Sequence, residues 1–274
     1  MPELPEVETI KRDLAPRIVG RSFVGITLNW SRMVQILSPE AFSNCLIGKG
    51  ITELDRRGKY LIFRLSSGEA LILHLMMSGS LLLIPRGESD KYTRTIFHLD
   101  NEADLYFRDP RKLGRMWLVK DENSVVGKLG PEPLAPSSTA EVLGERLKKH
   151  SAPIKAVLCD QSFLAGVGNM YADEALYDAV IHPLRTANSL SAEEIARLHR
   201  GIRRVLEKAI GSYGASISDY RRPDGEMGAA QSIFKVAHRA GEPCPVCATP
   251  IERITIRQRG TYFCPRCQRE SQTS

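Results

Sequence analysis

The hydrophobic pattern of the chain changes twice along its length. In "VETIKRDLAPRI", apolar side chains recur at Val7, Ile10 and Leu14, which is the spacing of one helical face. From about residue 22 to residue 120, short apolar runs alternate with turn residues, as in "LIFRLSSGEALILHL" and "TIFHLDNEADLYFRD". These runs predict successive β-hairpins, and several hairpins in a row predict a β-sandwich or barrel behind a short N-terminal helix.

A second change follows the stretch "KLGPEPLAPSS", whose proline and glycine content marks a domain boundary. Helical patterns dominate from about residue 140 to residue 211. The clearest helix begins at Ser191, which is predicted to form a capping box with Glu194, and ends near Gly211. The later stretch "RRPDGEMGAAQS" is typical of a mobile loop.

Four of the six cysteines form two close pairs near the end of the sequence. "CPVC" and "CPRC" are separated by 16 residues, the spacing at which four thiolates bind one zinc ion. The predicted ligands are Cys244, Cys247, Cys264 and Cys267. A redox dithiol or free thiols are the alternatives. Because four sulfur ligands leave no open position for substrate, the zinc is predicted to be structural.

Charge and composition favour a globular protein with a polyanionic partner. The 274 residues include 38 Lys and Arg against 32 Asp and Glu, a formal net charge of +6. Arg257 and Arg259 fall between the cysteine pairs in a predicted hairpin; their spacing predicts that both face one way, towards phosphate, although a solvated basic surface is the alternative. No secretion signal or long apolar segment is evident, so a cytoplasmic protein is expected.

The opening "MPELPEVETI" places a proline next to the initiator and carboxylates beside it. If Met1 is removed, Pro2 carries the terminal amine, whose pKa of about 8 leaves part of it neutral and nucleophilic at pH 7. Attack of this amine on a sugar carbon gives an iminium ion, and a neighbouring glutamate can supply the acid that opens the ring. The alternative is that Pro2, Glu3 and Glu6 simply begin a helix, where proline and acidic residues are favoured.

Several motifs together resemble those of bacterial formamidopyrimidine-DNA glycosylases. They occur in the order of that family and span essentially the whole chain: "PELPEVET", "RRGKYL", "HLMMSG", "RDPRKLG", "LGPEPL", "GVGNMYADEAL" and "RGTYFCPRCQ". The resemblance implies a bifunctional base-excision repair enzyme. Such an enzyme is both glycosidase and lyase: it removes 8-oxoguanine and formamidopyrimidines from duplex DNA and cuts the strand by β,δ-elimination.

The implied fold is of the α+β class. The resemblance divides the chain into an N-terminal β-sandwich with an N-terminal helix (residues 1–130), a helical helix-two-turn-helix domain with a lesion-covering loop (131–234) and a four-cysteine zinc finger (235–274). It also implies one structural Zn²⁺, damaged double-stranded DNA as partner, a monomer without membrane association, and a bacterial cytoplasmic location with nucleoid association on DNA.

The resemblance assigns catalytic roles to five residues. Pro2 is the Schiff-base nucleophile on C1′, Glu3 is the proton donor to the sugar, and Glu6 holds the amine or a water molecule. Lys59 acts near the lesion and in β-elimination, and Arg259 grips phosphate and assists δ-elimination. Without the motifs, Lys59 would be read as a solvated strand lysine.

Further residues are implied to bind DNA. Asn169 is the phosphate clamp, Lys155 binds the same backbone, and His74 is an additional contact. Met77 and Arg111 fill the gap left by the extruded base, with Arg111 facing the orphaned cytosine. Composition alone would make Met77 a core residue, His74 a satisfied histidine and Asn169 a helix cap.

Four residues, at three places in the chain, depart from the family pattern. Leu113, itself a core residue on composition alone, replaces the usual phenylalanine of the third inserted side chain, which predicts weaker wedging without loss of function. Tyr92, within "KYTRT", stands where a DNA-contacting histidine is common and can still donate to phosphate. Ala237 and His238 replace a tyrosine-glycine pair, a departure that bears on lesion preference and not on the reaction.

Two rival functions remain at this stage. An endonuclease VIII-like glycosylase would prefer oxidised pyrimidines, but its opening usually carries glycine where this chain has Leu4. A noncatalytic zinc-finger protein that binds distorted DNA would be expected to lack Pro2, Glu3 or Lys59, and all three are present.

Overall fold

The computed structural model describes residues 1–101 and 103–270, which separate into two compact units. Unit 1 comprises Met1–Lys128 and Ile210–Gln231, and unit 2 comprises Leu129–Ala209 and the chain from Ser232 onward. The described helices are α1 (Leu4–Ile18), α2 (Pro39–Leu46), α3 (Asn123–Val126), α4 (Ala140–Leu147), α5 (Ile154–Leu158), α6 (Asn169–Asp178) and α7 (Ala192–Gly211). None of them combines the length and the hydropathy needed to span a lipid bilayer.

Two four-stranded antiparallel sheets form the body of unit 1. The strands are β1 (Phe23–Leu28), β2 (Ile51–Arg57), β3 (Tyr60–Leu65), β4 (Ala70–His74), β5 (Ser80–Pro85), β6 (Thr93–Leu99), β7 (Ala103–Arg108) and β8 (Arg115–Val119). One sheet has the order β1-β6-β7-β5 and the other β2-β3-β4-β8. Both hairpins predicted from the alternating apolar runs are present, as β3-β4 and β6-β7.

The core of unit 1 lies between its two sheets and the N-terminal helix. Val7, Ile10 and Leu14 of α1 are completely buried, as the helical spacing predicts, and they share one apolar cluster with Phe63 of β3 and Phe107 of β7. Burying such side chains stabilises the unit by about 1.5–3 kcal/mol each. This arrangement confirms the predicted β-sandwich with an N-terminal helix.

The segment Ile210–Gln231 folds with unit 1, although it follows the helical region in sequence. Arg222 donates to Asp13 of α1 at 2.9 Å, the backbone N–H of Leu83 donates to the carbonyl of Pro223 at 2.8 Å, and Tyr220 joins the unit 1 core. Hydrogen bonds and apolar burial therefore tie this loop to the sandwich.

Unit 2 contains the helical region and the β-hairpin between the two cysteine pairs. The predicted capping box is present at the start of α7: Ser191 Oγ accepts from the backbone N–H of Glu194 at 3.2 Å, and Glu194 Oε2 accepts from that of Ser191 at 2.8 Å. The hairpin pairs β9 (Glu252–Ile256) with β10 (Arg259–Phe263) through a two-residue turn.

Candidate active site and nucleic-acid interface

The start of the chain forms a buried acidic cluster at the beginning of α1. Pro2 is buried, and Glu3 and Glu6 are 1% and 0% exposed. The Glu6 carboxylate accepts two backbone hydrogen bonds of 2.7 Å, from Glu3 to Oε2 and from Ala215 to Oε1. Because both oxygens take part in charge-assisted bonds, Glu6 fixes the backbone on which Glu3 and Pro2 are carried.

Gly214 allows the Glu6 carboxylate to approach the 210–231 segment. The φ angle of Gly214 is +75°, and a Cβ there would lie 2.9 Å from both Cγ and Oε1 of Glu6. A side chain at this position would therefore be strained by its backbone and would also collide with the carboxylate. Any other residue would push apart the two segments that Glu6 joins.

Lys59 is placed by the tight turn between β2 and β3. Gly58, with φ of +57°, and Lys59 form a two-residue turn closed by the Arg57–Tyr60 pair, and the Lys59 side chain is only 5% exposed. Arg56 braces this turn, since its Nη1 donates to the carbonyl of Gly58 at 2.9 Å. A buried lysine in a braced turn is not the solvated strand lysine of the alternative interpretation.

Glu8 holds Arg56 in this bracing position. Its Oε2 accepts from Arg56 Nε at 2.8 Å and its Oε1 accepts from Arg12 Nε at 2.8 Å. Burial raises the pKa of Glu8, but the hydrogen bonds from Arg56 and Arg12 outweigh burial and lower the pKa below its usual value. Glu8 is thus ionised at neutral pH. The sequence did not predict a role for Glu8 or Arg56, although Glu8 lies within "PELPEVET" and Arg56 within "RRGKYL".

His74 lies at the end of β4 with its ring edge-on to Tyr60 at 4.5 Å. Its Nδ1 accepts from the backbone N–H of Met76 at 3.0 Å. Burial lowers the pKa of His74 to about 4, and the charges of Lys59 and Arg115 act in the same direction. The ring is neutral at pH 7, and because Nδ1 is an acceptor, Nε2 carries the proton and can donate to an anion.

The predicted inserted side chains lie on two surface loops of unit 1. Met77 and Leu113 are 44% and 37% exposed, which excludes the core interpretation for both. Arg111 is exposed between them in sequence, and its Nη1 lies 3.4 Å from Met77 Sδ. Exposed apolar side chains beside an arginine are suited to entering a base stack and contacting an unpaired base.

Tyr92 is held between cations. Arg108 lies over its ring at 4.8 Å and Lys91 at 5.2 Å. Its backbone carbonyl accepts from the N–H of Asp109 at 2.9 Å. The ring therefore lies between two basic side chains, of which Arg108 also pairs with Asp90 at 2.7 Å and Lys91 can donate to a phosphate.

In unit 2, Asn169 is the first residue of α6, and Lys155 holds its backbone through a hydrogen bond. Asn169 Nδ2 donates to the carbonyl of Gly260 at 2.7 Å and carries a second hydrogen. Lys155 is 1% exposed; its Nζ donates to the Asn169 carbonyl at 2.5 Å and to Asp173 Oδ1 at 2.6 Å. Burial raises the pKa of Asp173 to about 7 against the lowering effect of Lys155. In this geometry the Lys155 ammonium positions Asn169 and is not presented to solvent.

Arg257 and Arg259 line the same cavity, of about 580 Å³, together with Lys149 and His150. The reason predicted for this common orientation was wrong. Arg257 does not lie on a strand with Arg259; it occupies the two-residue turn, with φ of 44° and with Gln258 at 64°. The turn itself, and not strand alternation, brings both residues to this cavity.

The four cysteines of the predicted metal site converge in unit 2. Their sulfur atoms all lie within 4.8 Å of one another, with Cys244–Cys267 at 3.8 Å and Cys247–Cys264 at 3.4 Å. Tetrahedral zinc with Zn–S bonds of about 2.3 Å requires sulfurs about 3.8 Å apart. The donor set therefore fits one zinc ion, and these distances are too long for disulfides.

Tyr177 adds a contact that the sequence did not reveal. Its hydroxyl lies 3.2 Å from Cys244 Sγ and is placed to donate to that sulfur. Gln268 holds the backbone of Cys264, since its Oε1 accepts from the Cys264 N–H and its Nε2 donates to the carbonyl of Ile181. Such outer contacts orient metal ligands. Neither residue type carries a spacing signal of its own.

Three protein-family models match the chain in succession. The formamidopyrimidine-DNA glycosylase N-terminal domain matches residues 1–116, the formamidopyrimidine-DNA glycosylase H2TH domain matches 129–221, and a zinc finger found in FPG and IleRS matches 241–269. The last match and the converging sulfurs together establish one structural zinc ion.

Curated proteins and solved structures agree with these models. The formamidopyrimidine-DNA glycosylase of Herpetosiphon aurantiacus is 46% identical over 273 residues, covering 98% of this chain and 100% of the relative. The crystal structure of MutM (Fpg) from Thermus thermophilus matches with a TM-score of 0.90 at 40% identity. A complex between Lactococcus lactis Fpg and DNA containing an abasic site matches at 0.92 and 36%. Both structural matches cover 98% of this chain and 100% of the other.

Models of that family's domains match most of the chain, and relatives above 40% identity cover nearly all of it. The chain therefore belongs to the formamidopyrimidine-DNA glycosylase family.

Proposed function

We propose that this protein is a formamidopyrimidine-DNA glycosylase with AP lyase activity, acting in base-excision repair of duplex DNA. The observation that carries the proposal is the buried Pro2–Glu3 start of α1, fixed by Glu6, in a chain that matches the family along its length. Its substrates are oxidised purines, namely 8-oxoguanine and formamidopyrimidines. The Lactococcus lactis relative has been crystallised with Fapy-dG DNA as well as with abasic DNA.

The chemistry requires a free imino nitrogen on Pro2, so Met1 must be removed. An amine on Met1, which is 43% exposed, would stand one residue too far from Glu3. The neutral amine then attacks C1′, the base leaves with the electron pair of its bond to C1′, and the proton of the attacking nitrogen is lost to the departing base. The C1′–O4′ bond then breaks as O4′ is protonated, and an iminium ion remains. The iminium acidifies C2′, so loss of a C2′ proton expels the 3′ phosphate, and a second elimination expels the 5′ phosphate.

Glu3 supplies the proton that opens the deoxyribose ring, and Glu6 holds Glu3 in place. The two hydrogen bonds on Glu6 hold it as an acceptor of fixed geometry, which suits positioning of the Pro2–Glu3 backbone. Lys59, buried in its braced turn, is proposed to act near the lesion and in β-elimination.

DNA backbone binding is proposed for both units. In unit 1, His74 offers Nε2–H and Tyr92 lies within a cationic patch. In unit 2, Asn169 is proposed as the phosphate clamp and Arg259 as the phosphate grip that assists δ-elimination. Lys155 acts through Asn169, because its ammonium is bonded to the Asn169 carbonyl.

Met77, Arg111 and Leu113 are proposed to fill the space left by the extruded base. Their exposure on two loops supports this role, and Arg111 carries donors suited to the acceptor edge of an unpaired cytosine. Leucine lacks the stacking surface of an aromatic ring, so the wedge is expected to be weaker than one with phenylalanine.

Domain roles follow the three-part division at 1–130, 131–234 and 235–274, which we retain as a proposal. The zinc ion shapes the β9–β10 hairpin that carries Arg259 and takes no part in the chemistry. Relatives such as those from Herpetosiphon aurantiacus and Lactiplantibacillus plantarum are bacterial, and we place the enzyme in the bacterial cytoplasm and on the nucleoid when it is bound to DNA.

The experiment that tests the function is borohydride trapping on a panel of duplexes. The panel contains 8-oxoguanine opposite cytosine, an abasic site, and thymine glycol opposite adenine. We expect covalent adducts with the first two and little with the third, and far fewer adducts from Pro2→Gly. Preferential reaction at thymine glycol would instead indicate an endonuclease VIII-like enzyme, and a noncatalytic binder would give no adduct with any duplex.

A further inference from the structure

Asp109 is a completely buried carboxylate between the two loops that carry the exposed wedge residues. Its Oδ2 accepts from the backbone N–H groups of Leu113 and Gly114, both at 2.7 Å. Its Oδ1 accepts from the backbone N–H of Arg111 at 3.2 Å. One side chain therefore fixes the backbone of the whole Arg111–Gly114 turn.

The same carboxylate reaches the other wedge loop through Ser78. Ser78 is 1% exposed and its Oγ donates to Asp109 Oδ1 at 2.5 Å. Ser78 directly follows Met77, so this bond ties the Met77 backbone to the anchor of Arg111 and Leu113. On the exposed side, by contrast, Arg111 and Met77 meet at a guanidinium–sulfur distance of 3.4 Å, a weak contact in water.

Both loops also pack closely against the ring of Phe107. A Cβ on Gly79 would lie 2.9 Å from Phe107, and one on Gly114 would lie 2.6 Å from the same ring. Both loops also contain a residue with left-handed backbone, Met76 at φ 53° and Lys112 at φ 58°. Side chains seldom adopt this conformation without support, and the hydrogen bonds to Asp109 supply support for the second loop.

We propose that Asp109, through Ser78, couples the two loops so that Met77, Arg111 and Leu113 enter the duplex as one rigid unit. This inference rests on the proposed function, because it assigns a positioning role for the proposed base extrusion. Without the Ser78 bond, Met77 would have to be ordered separately during insertion, and extrusion of a paired base would slow. The chemistry at Pro2 would be unaffected once a base is outside the stack.

The test compares Ser78→Ala with Ser80→Ala. Both serines are 1% exposed and lie two residues apart, but the Ser80 hydroxyl has no hydrogen-bond partner among the described residues. Each variant thus loses one buried hydroxyl, and only Ser78→Ala breaks the link to Asp109. Ser78→Cys, with a weaker donor of similar size, provides a second variant if Ser78→Ala does not fold.

Single-turnover excision is measured on two duplexes, 8-oxoguanine opposite cytosine and 8-oxoguanine opposite a one-nucleotide gap. The gap removes the pair that must be opened and the orphaned base. We expect Ser78→Ala to slow excision about tenfold opposite cytosine and less than about threefold opposite the gap, with Ser78→Cys in between and Ser80→Ala unchanged on both.

Equal slowing of Ser78→Ala on both duplexes would overturn the proposal, and so would an unchanged rate on both. Borohydride trapping on an abasic duplex separates this outcome from failure of the function itself. Wild type and Ser78→Ala should give equal adduct there. If wild type gives no adduct with any duplex, the proposed function fails, whatever the behaviour of the serine variants.

Discussion

Replacing Lys155 by methionine tests the buried support of the phosphate clamp. Methionine keeps the apolar length of lysine but removes the ammonium that bonds to the Asn169 carbonyl and to Asp173. Both partners of this ion pair are 1% exposed, so the variant leaves Asp173 buried without its cation. Nothing in the apolar packing is deleted, which confines the perturbation to charge and hydrogen bonding.

Breaking one side of a buried ion pair costs about 3–5 kcal/mol. Because burial already raises the pKa of Asp173 to about 7 and Lys155 lowers it, loss of Lys155 favours the neutral acid and relieves part of this cost. We therefore expect Lys155→Met to lower the free energy of unfolding by about 3 kcal/mol. Lys149 is an exposed lysine that lines the cavity of Arg257 and Arg259. Lys149→Met should change the free energy of unfolding by less than about 0.5 kcal/mol.

Urea unfolding followed by circular dichroism measures these differences, and DNA binding at several salt concentrations separates two roles for Lys155. Removing a lysine that contacts phosphate reduces the slope of log K against log[salt] by about 0.9. A lysine that only positions Asn169 weakens binding without that change in slope. A stability loss no larger than that of Lys149→Met, or a slope reduced by about 0.9, would refute the positioning role.

Three other predictions concern the sites of each unit. Glu6→Gln should leave one of the two backbone donors unpaired, because an amide has only one oxygen. We expect a sharply reduced yield of borohydride adduct on an abasic duplex. Thermal unfolding should show a loss of about 1–3 kcal/mol in the free energy of unfolding. Folding lowers the pKa of His74 from 6.5 to about 4. Between these pH values the unfolded chain binds a proton at His74 and the folded chain does not. The stability present above pH 6.5 is therefore lost as the pH falls towards 4. His74→Gln should therefore lose up to about 3 kcal/mol less than wild type over that interval, as denaturant midpoints at pH 7 and pH 4.5 would reveal. Zinc removal by a chelator should expose the β9–β10 hairpin to protease and weaken DNA binding, and zinc addition should restore both.

The sequence predicts local structure well where the signal is local. The capping box of Ser191 and Glu194, the buried stripe of α1 and the spacing of the four cysteines all depend on residues a few positions apart or on a known metal geometry. The motifs also indicated Pro2 and Glu3, which the structure buries at the start of α1.

Features that depend on distant partners could not be predicted. Lys155 is buried because Asp173, 18 residues away, takes its charge, and lysine composition alone favours an exposed side chain. The 210–231 segment joins unit 1 because Ala215 donates to Glu6, 209 residues earlier. Arg257 lies in a turn built from two left-handed residues without glycine, so the usual signal of a tight turn is missing there.

The central claim is that the nitrogen of Pro2 forms the covalent bond to deoxyribose. The most direct measurement is protease digestion of the borohydride-reduced adduct with an abasic duplex, followed by mass spectrometric sequencing of the crosslinked peptide. We expect a peptide that begins at Pro2, lacks Met1 and carries the sugar on its terminal nitrogen. Sugar attached to the Nζ of Lys59 or of any other lysine would contradict it.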